Sequence, residues 1–219
     1  MPKKLLLLRS AINAIENENT LITREQQYIN GIKSLKSFNV DGKFDDVWLV
    51  DNTYKGNERI ARSIRTLIPE TWSILCPETN KYGTTNKGAG DIETLQSLYQ
   101  KIAEHDFLFF HELRLIIEDP QLIREFLDNP GNYIYREKFS WHEVDLKIPK
   151  KSAISGHYGI SCNLFLSFLQ TTDLQFMAAS NIAIEDLLYQ FVISNRLGFV
   201  PSRKYCSRYI ERLNRYVRY

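Results

Sequence analysis

The chain has 219 residues, with 28 Lys and Arg against 26 Asp and Glu, so its formal net charge is only +2. That balance gives no electrostatic ground for a nucleic-acid partner, while 43% hydrophobic and 25% charged residues make a globular composition with a substantial core. Three widely spaced cysteines, Cys76, Cys162 and Cys206, point to reduced thiols in a cytosol rather than to a disulfide framework.

The amino-terminal run Leu5-Leu6-Leu7-Leu8 is too short for a signal-peptide core, which needs about 7–15 apolar residues. It reads instead as the start of a buried strand over residues 4–11. No stretch approaches the roughly 20 apolar residues of a membrane span. Thr23, with Gln26 three residues on, forms a capping box and opens a helix running to about Phe38. Residues 44–50 predict a second strand closed by Asp51-Asn52. Asn57 is placed to cap a helix with Ile60, Ile64, Leu67 and Ile68 on one face, ended by Pro69. Residues 72–76 predict a third strand, and a polar loop follows to Gly90. Asp91 or a neighbour then caps a helix carrying Ile92, Leu95, Leu98, Tyr99 and Ile102.

Residues 107–110 are the most apolar run and predict a central strand ending at His111-Glu112. Asp119-Pro120 opens a short helix, with Pro in its first turn. Residues 133–141 alternate like a strand. Residues 156–168 begin loop-like and become helical, 182–197 form an apolar-faced helix, and 202–219 predict a last, basic helix. Alternating strands and helices imply a doubly wound, mostly parallel α/β sheet flanked by helices, with right-handed crossovers. The predicted organisation is one domain over 1–200 with a basic tail over 201–219. In such sheets the ligand lies outside the carboxyl ends of the strands. Here those ends carry Arg9-Ser10, Asp51-Asn52, Pro77-Glu78 and His111-Glu112.

Three segments carry a resemblance in their order. They are Val50-Asp51-Asn52-Thr53-Tyr54-Lys55-Gly56-Asn57, then Asn86-Lys87-Gly88-Ala89-Gly90-Asp91, then Ile184-Glu185-Asp186 followed by Arg196-Leu197-Gly198-Phe199. Together they resemble the GT-A glycosyltransferases, especially the family 2 group of inverting nucleotide-sugar transferases. The resemblance implies a GT-A, nucleotide-diphospho-sugar transferase-like fold. It also implies transfer of a sugar from a nucleotide-sugar donor to a carbohydrate or lipid-linked hydroxyl acceptor, as in polysaccharide or glycolipid synthesis. By position Asp51 matches the nucleoside-contacting aspartate, with Asn52 beside it and Ser10 offering a base or ribose contact from the first strand. Asn86, Lys87 and Gly88 lie where the chain passes the nucleotide, Lys87 facing a phosphate. Asp186 matches the catalytic base, with Glu185 its neighbour; the acceptor hydroxyl must lose its proton to such a carboxylate as it attacks the anomeric carbon.

One departure stands out. The family ends its fourth strand with an Asp-x-Asp pair that binds Mn²⁺ or Mg²⁺, whereas this strand ends in His111-Glu112-Leu113-Arg114. Three readings stay open: a metal held by Glu112 with His157 or waters, metal-independent stabilisation of the diphosphate by His111, Arg114 and Lys87, or an inactive nucleotide- or sugar-binding domain. His157 lies in Ser155-Gly156-His157-Tyr158-Gly159, where small residues allow close backbone approach to a ligand. No His or Cys pair has zinc-ligand spacing. No nucleophile elbow, Walker loop or dinucleotide fingerprint is present. Ala11-Ile12-Asn13-Ala14 lacks the Gly-rich basic loop of a sugar nucleotidyltransferase.

The tail interleaves Arg203, Lys204, Arg208, Arg212, Arg215 and Arg218 with Tyr205, Tyr209, Tyr216 and Tyr219. Docking on the domain or attachment to the inner membrane surface from the cytoplasm is the expected use; nucleic-acid binding is the runner-up.

Overall fold

The computed structural model describes residues 1–12, 21–53, 60–77, 80–139, 149–200, 205–210 and 215–218. The expected Asn57 cap, Glu78 and the stretch from Asn13 to Thr20 lie outside them.

Leu5, Leu6, Leu7 and Leu8 are each fully buried, which a strand achieves only when its sheet is covered on both faces. They form the body of β1 (Lys4–Ser10). This strand is the middle of a five-stranded sheet with β2 (Asp46–Asp51), β3 (Ser73–Leu75), β4 (Phe107–Glu112) and β8 (His157–Ser161), in the order β3-β2-β1-β4-β8. The first four run parallel, and β8 is antiparallel to β4. Register pairs Leu7 with both Trp48 and Phe110, and Leu8 with Leu49 and His111. Alternate residues therefore feed two separate cores.

The first core holds Leu6, Leu8, Leu49 and Phe109 against helices α1 (Arg24–Ser37) and α5 (Gln121–Asp128) through Tyr28, Ile32, Leu122 and Phe126. The second holds Leu5, Leu7, Trp48, Leu108 and Phe110 against α3 (Lys87–Ser97), α6 (Cys162–Thr171), α7 (Leu174–Ala179) and α8 (Ile184–Ser194). Short helices α2 (Arg62–Arg65) and α4 (Tyr99–Ile102) complete the covering layers. Thr23 caps α1 as expected, its hydroxyl accepting from Gln26 N at 3.2 Å. Gly31 lets α1 lie directly on backbone, because a Cβ there would come within 1.7 Å of the Leu113 carbonyl oxygen.

Three expectations need correction. Helix α3 starts at Lys87, capped by Asn86, whose side chain accepts from Ala89 N at 3.0 Å. Asp91 is thus one turn inside the helix, free to point at the sheet. The segment at 157–161 is not a loop but strand β8; its small Gly159 makes room for Phe126 beneath it.

The tail is not a helix. It forms the strands β9 (Cys206–Ile210) and β10 (Arg215–Arg218), with β9 also pairing to β5 (Ile116–Ile117). Tyr and β-branched residues favour extended backbone, and β5 supplies an edge to pair with. Tyr205 and Cys206 join the first core, and the Tyr216 hydroxyl accepts from Asn30 Nδ2 at 3.2 Å. A small two-stranded sheet, β6 (Arg136–Phe139) with β7 (Pro149–Ala153), lies beside the main one in sequence. Among the described residues no helix is long and apolar enough to cross a membrane.

Candidate functional site

Beyond the apolar body of β1 stands Arg9, on the same strand face as Leu5 and Leu7 and in register with Glu112 at the end of β4. Its guanidinium meets Asp91 of α3, with Nε at 3.0 Å from Oδ1 and a second, shorter contact through Nη2. Arg9 Nη1 lies 3.7 Å from Glu112 Oε1. The same Glu112 oxygen accepts from Arg114, at 2.9 Å from Nε and closer still from Nη2. Asn52 Nδ2 donates to Asp91 Oδ1 at 3.0 Å, and Asn80 Nδ2 donates to the Asn52 carbonyl at 2.8 Å. Two guanidiniums and two carboxylates are thereby locked together at the carboxyl ends of three strands.

The electrostatics follow from burial. Desolvation works against the Arg9 charge, but Asp91 and Glu112 more than restore it, so the guanidinium is held more firmly protonated than usual. Desolvation raises the Asp91 carboxyl above its ordinary range, with Arg9 pulling the other way and Glu112 and Glu185 adding to the rise. Glu185 sits in the first turn of α8, where its Oε1 accepts from Ser155 Oγ at 2.8 Å. Ser155 adjoins Gly156, whose α-carbon lies against the Glu112 side chain: a Cβ on it would sit 3.3 Å from Glu112 Oε2. Asp186 follows in the same first turn and stays partly exposed. Lys87, the first residue of α3, is exposed.

Several expected site residues have other work. Asp51 is fully buried. Its Oδ2 accepts from Ser10 Oγ at 2.7 Å and Ile12 N at 2.9 Å, and its Oδ1 from Thr53 N at 2.7 Å and Thr53 Oγ1 at 2.6 Å. Asp51 and Ser10 therefore shape the turns after β1 and β2, with no carboxylate surface presented to a ligand. Asn86 caps α3 and ties it to α7 and to the connection before α8 by donating to the carbonyls of Met177 and Ile182, at 3.2 and 3.1 Å. Gly88 is a packing position, since a Cβ there would stand 2.8 Å from Met177 Cε.

His111 and His157 do not face the ion cluster. Period-two alternation turns His111 to the face of Leu8 and Phe109, opposite Glu112, and His157 pairs with it across the β4–β8 ladder. Both are fully buried, with their Nδ1 atoms 2.9 Å apart. Burial lowers the His111 pKa to about 4, against weaker opposing pulls from Glu112 and the Leu115 carbonyl, and burial with His111 nearby pushes His157 well below the usual range.

Sequence reading missed Arg9 and Asp91 as site residues. The available signal was a charge ending a run of leucines at a strand's carboxyl end, on the face its apolar neighbours share.

No family model matches the sequence, and no curated protein does either. The fold does have solved counterparts. A protein from Desulfovibrio desulfuricans G20 assigned as a nucleotide-diphospho-sugar transferase superposes with a TM-score of 0.56 at 8% identity, over 91% of this chain and 79% of that one. A 4-diphosphocytidyl-2C-methyl-D-erythritol synthase superposes with a TM-score of 0.50 at 11% identity, over 93% of this chain and 90% of that one. At such identities the likeness establishes the fold: a nucleotide-diphospho-sugar transferase-like α/β sheet.

Proposed function

We propose that this chain binds a nucleotide-sugar at the carboxyl ends of β1, β2 and β4 and transfers its sugar to a hydroxyl acceptor with inversion. The observation that carries the reading is the convergence of Arg9, Arg114, Glu112, Asp91 and Glu185 on the end of the sheet where folds of this kind take their ligand. The two structural neighbours, a nucleotide-diphospho-sugar transferase and a 4-diphosphocytidyl-2C-methyl-D-erythritol synthase, support a nucleotide-derived donor.

Within this reading Asp186 takes the acceptor's proton, because both carboxylates in the α8 first turn are partly exposed but Glu185 is already engaged by Ser155. Asp51 acts indirectly, by fixing the turns that border the nucleoside.

The donor set does not suit a hard divalent cation. Mg²⁺ and Mn²⁺ want several free oxygen ligands, yet Glu112 is bound by Arg114 and approached by Arg9, while Asp91 is bound by Arg9 and Asn52. The residues favour the metal-independent course, in which the arginines, with Lys87 at the head of α3, neutralise the leaving diphosphate.

The test is thermal unfolding of the full chain with a panel of nucleoside diphosphates and nucleotide-sugars, each with Mn²⁺ or with EDTA, followed by a transfer assay. One nucleotide class at about a hundred times its Kd is expected to add roughly 2.7 kcal/mol, unchanged by EDTA. Asp186→Asn should keep that shift and lose transfer by about 10²–10⁴-fold. Binding without transfer by the unaltered protein would favour a nucleotide- or sugar-binding domain instead. No nucleotide effect at all would end the reading.

A further inference from the structure

On the opposite side of the sheet from the ion cluster, three residues distant in sequence come together: His111 of β4, His157 of β8 and Cys206 of β9. Each offers one ligand-type atom, and these atoms all lie within 4.8 Å of one another. All three side chains are fully buried. They lie in the layer that Phe109, Phe126 and Tyr205 also fill, and Phe109 meets His157 edge-on with ring centroids 4.9 Å apart.

Such a grouping is costly in an apolar core. The two imidazoles share one contact, Nδ1 to Nδ1; neither Nε2 meets a partner at hydrogen-bond geometry, the Leu115 carbonyl reaching His111 only as a weak pull on its charge. Only one of the facing Nδ1 atoms can carry the proton in that contact. Whichever tautomer pair forms, one Nε2–H and one Nε2 lone pair are left unused. A buried polar group without a partner costs about 1–3 kcal/mol, and such groups in native proteins call for a water or an ion. A buried thiol beside two imidazoles narrows the choice. Imidazole and thiolate are ligands for zinc(II) and similar borderline-soft ions, not for Mg²⁺ or Ca²⁺.

We propose that His111, His157 and Cys206 bind one transition-metal ion, zinc(II) first among them, and that this ion clips the small β9–β5 sheet to the β4–β8 edge of the main sheet. Each imidazole gives a ring-nitrogen lone pair, and Cys206 gives its sulfur as thiolate, its proton passing to solvent as the metal enters. Zinc–nitrogen bonds of about 2.0–2.1 Å at a tetrahedral angle separate two nitrogens by about 3.3–3.4 Å. The rings at 2.9 Å therefore need to part by about half an ångström if both bind through Nδ1. The clip stands apart from the candidate transfer chemistry, and its fate does not depend on whether any nucleotide binds.

The test uses the full chain, stripped with a chelator and titrated with cobalt(II) and then zinc(II). One equivalent of cobalt should give a thiolate-to-cobalt charge-transfer band in the near ultraviolet, which zinc displaces, and zinc should raise Tm. Cys206→Ser and His157→Gln should abolish the band, and Cys162→Ser, which alters a buried cysteine in the other core, should leave it. A wild-type chain that binds no cobalt, or binds it without the thiolate band, overturns the proposal; so does a band that survives Cys206→Ser or disappears in Cys162→Ser. The wild-type titration decides the matter even where a variant fails to fold.

Discussion

In Glu112 a demand of stability meets the proposed function in a single side chain. Its side chain is 8% exposed and holds Arg114, with Arg9 close by. Glu112→Ala leaves buried guanidinium charge without its counter-ion, and urea unfolding should show a loss of about 3–5 kcal/mol. The histidines make a pH prediction for the chelator-stripped chain. His111 titrates near 6.5 when unfolded and about 4 when folded, so between those values the unfolded chain binds more protons. Stability is complete above pH 6.5 and falls as the pH drops toward 4, with His157 adding to the slope. A flat unfolding free energy across that window would mean that the pair is not buried as neutral imidazole. The direction His111 takes was hidden from sequence reading because it was grouped with its neighbour Glu112, which faces the other side of the sheet. One residue's difference on a strand is a change of face.

Among the elements, α1 and the end of the chain carry the sharpest consequences. Gly31→Ala drives a methyl group into the Leu113 carbonyl, so α1 must lift from the turn after β4. The expected cost is at or above the roughly 1–3 kcal/mol of core overpacking, read as a lower Tm. Gly159→Ala, 2.4 Å from the Phe126 ring, should cost less, because a ring can shift where backbone cannot. A chain cut after Val200 should lose cooperative unfolding, since Tyr205 and Cys206 are core residues and β9 pairs with β5. The α1 cap at Thr23, the leucine strand and the α8 helix were all legible from local pattern. The tail was not. Tyrosines four apart suit one side of a helix, and only the free edge of β5, a partner far away in sequence, turns that stretch into strands.

At the scale of the whole molecule, alternating strands and helices were enough to predict a mostly parallel sheet whose strands end at Arg9-Ser10, Asp51-Asn52 and His111-Glu112. The antiparallel β8 escaped notice because His157-Tyr158-Gly159-Ile160-Ser161 lies in a glycine-containing stretch and gains its strand character from pairing with β4. The candidate site was half legible for a related reason. Motif order singled out the turn after β2 and the start of α3, but not that Asp51 and Asn86 spend their hydrogen bonds on building those turns.

The pairing of Arg9 with Asp91 and of Arg114 with Glu112 has a kinetic side. An anion arriving at this end of the sheet can take hold of a guanidinium only by competing with a carboxylate already there. The same carboxylates stand ready to reclaim their arginines once the anion's charge is spent or its grip loosens. Such an arrangement gives up some affinity for the anion and returns it as a faster off-rate; under the proposed function, a spent diphosphate would leave quickly rather than linger as its own inhibitor.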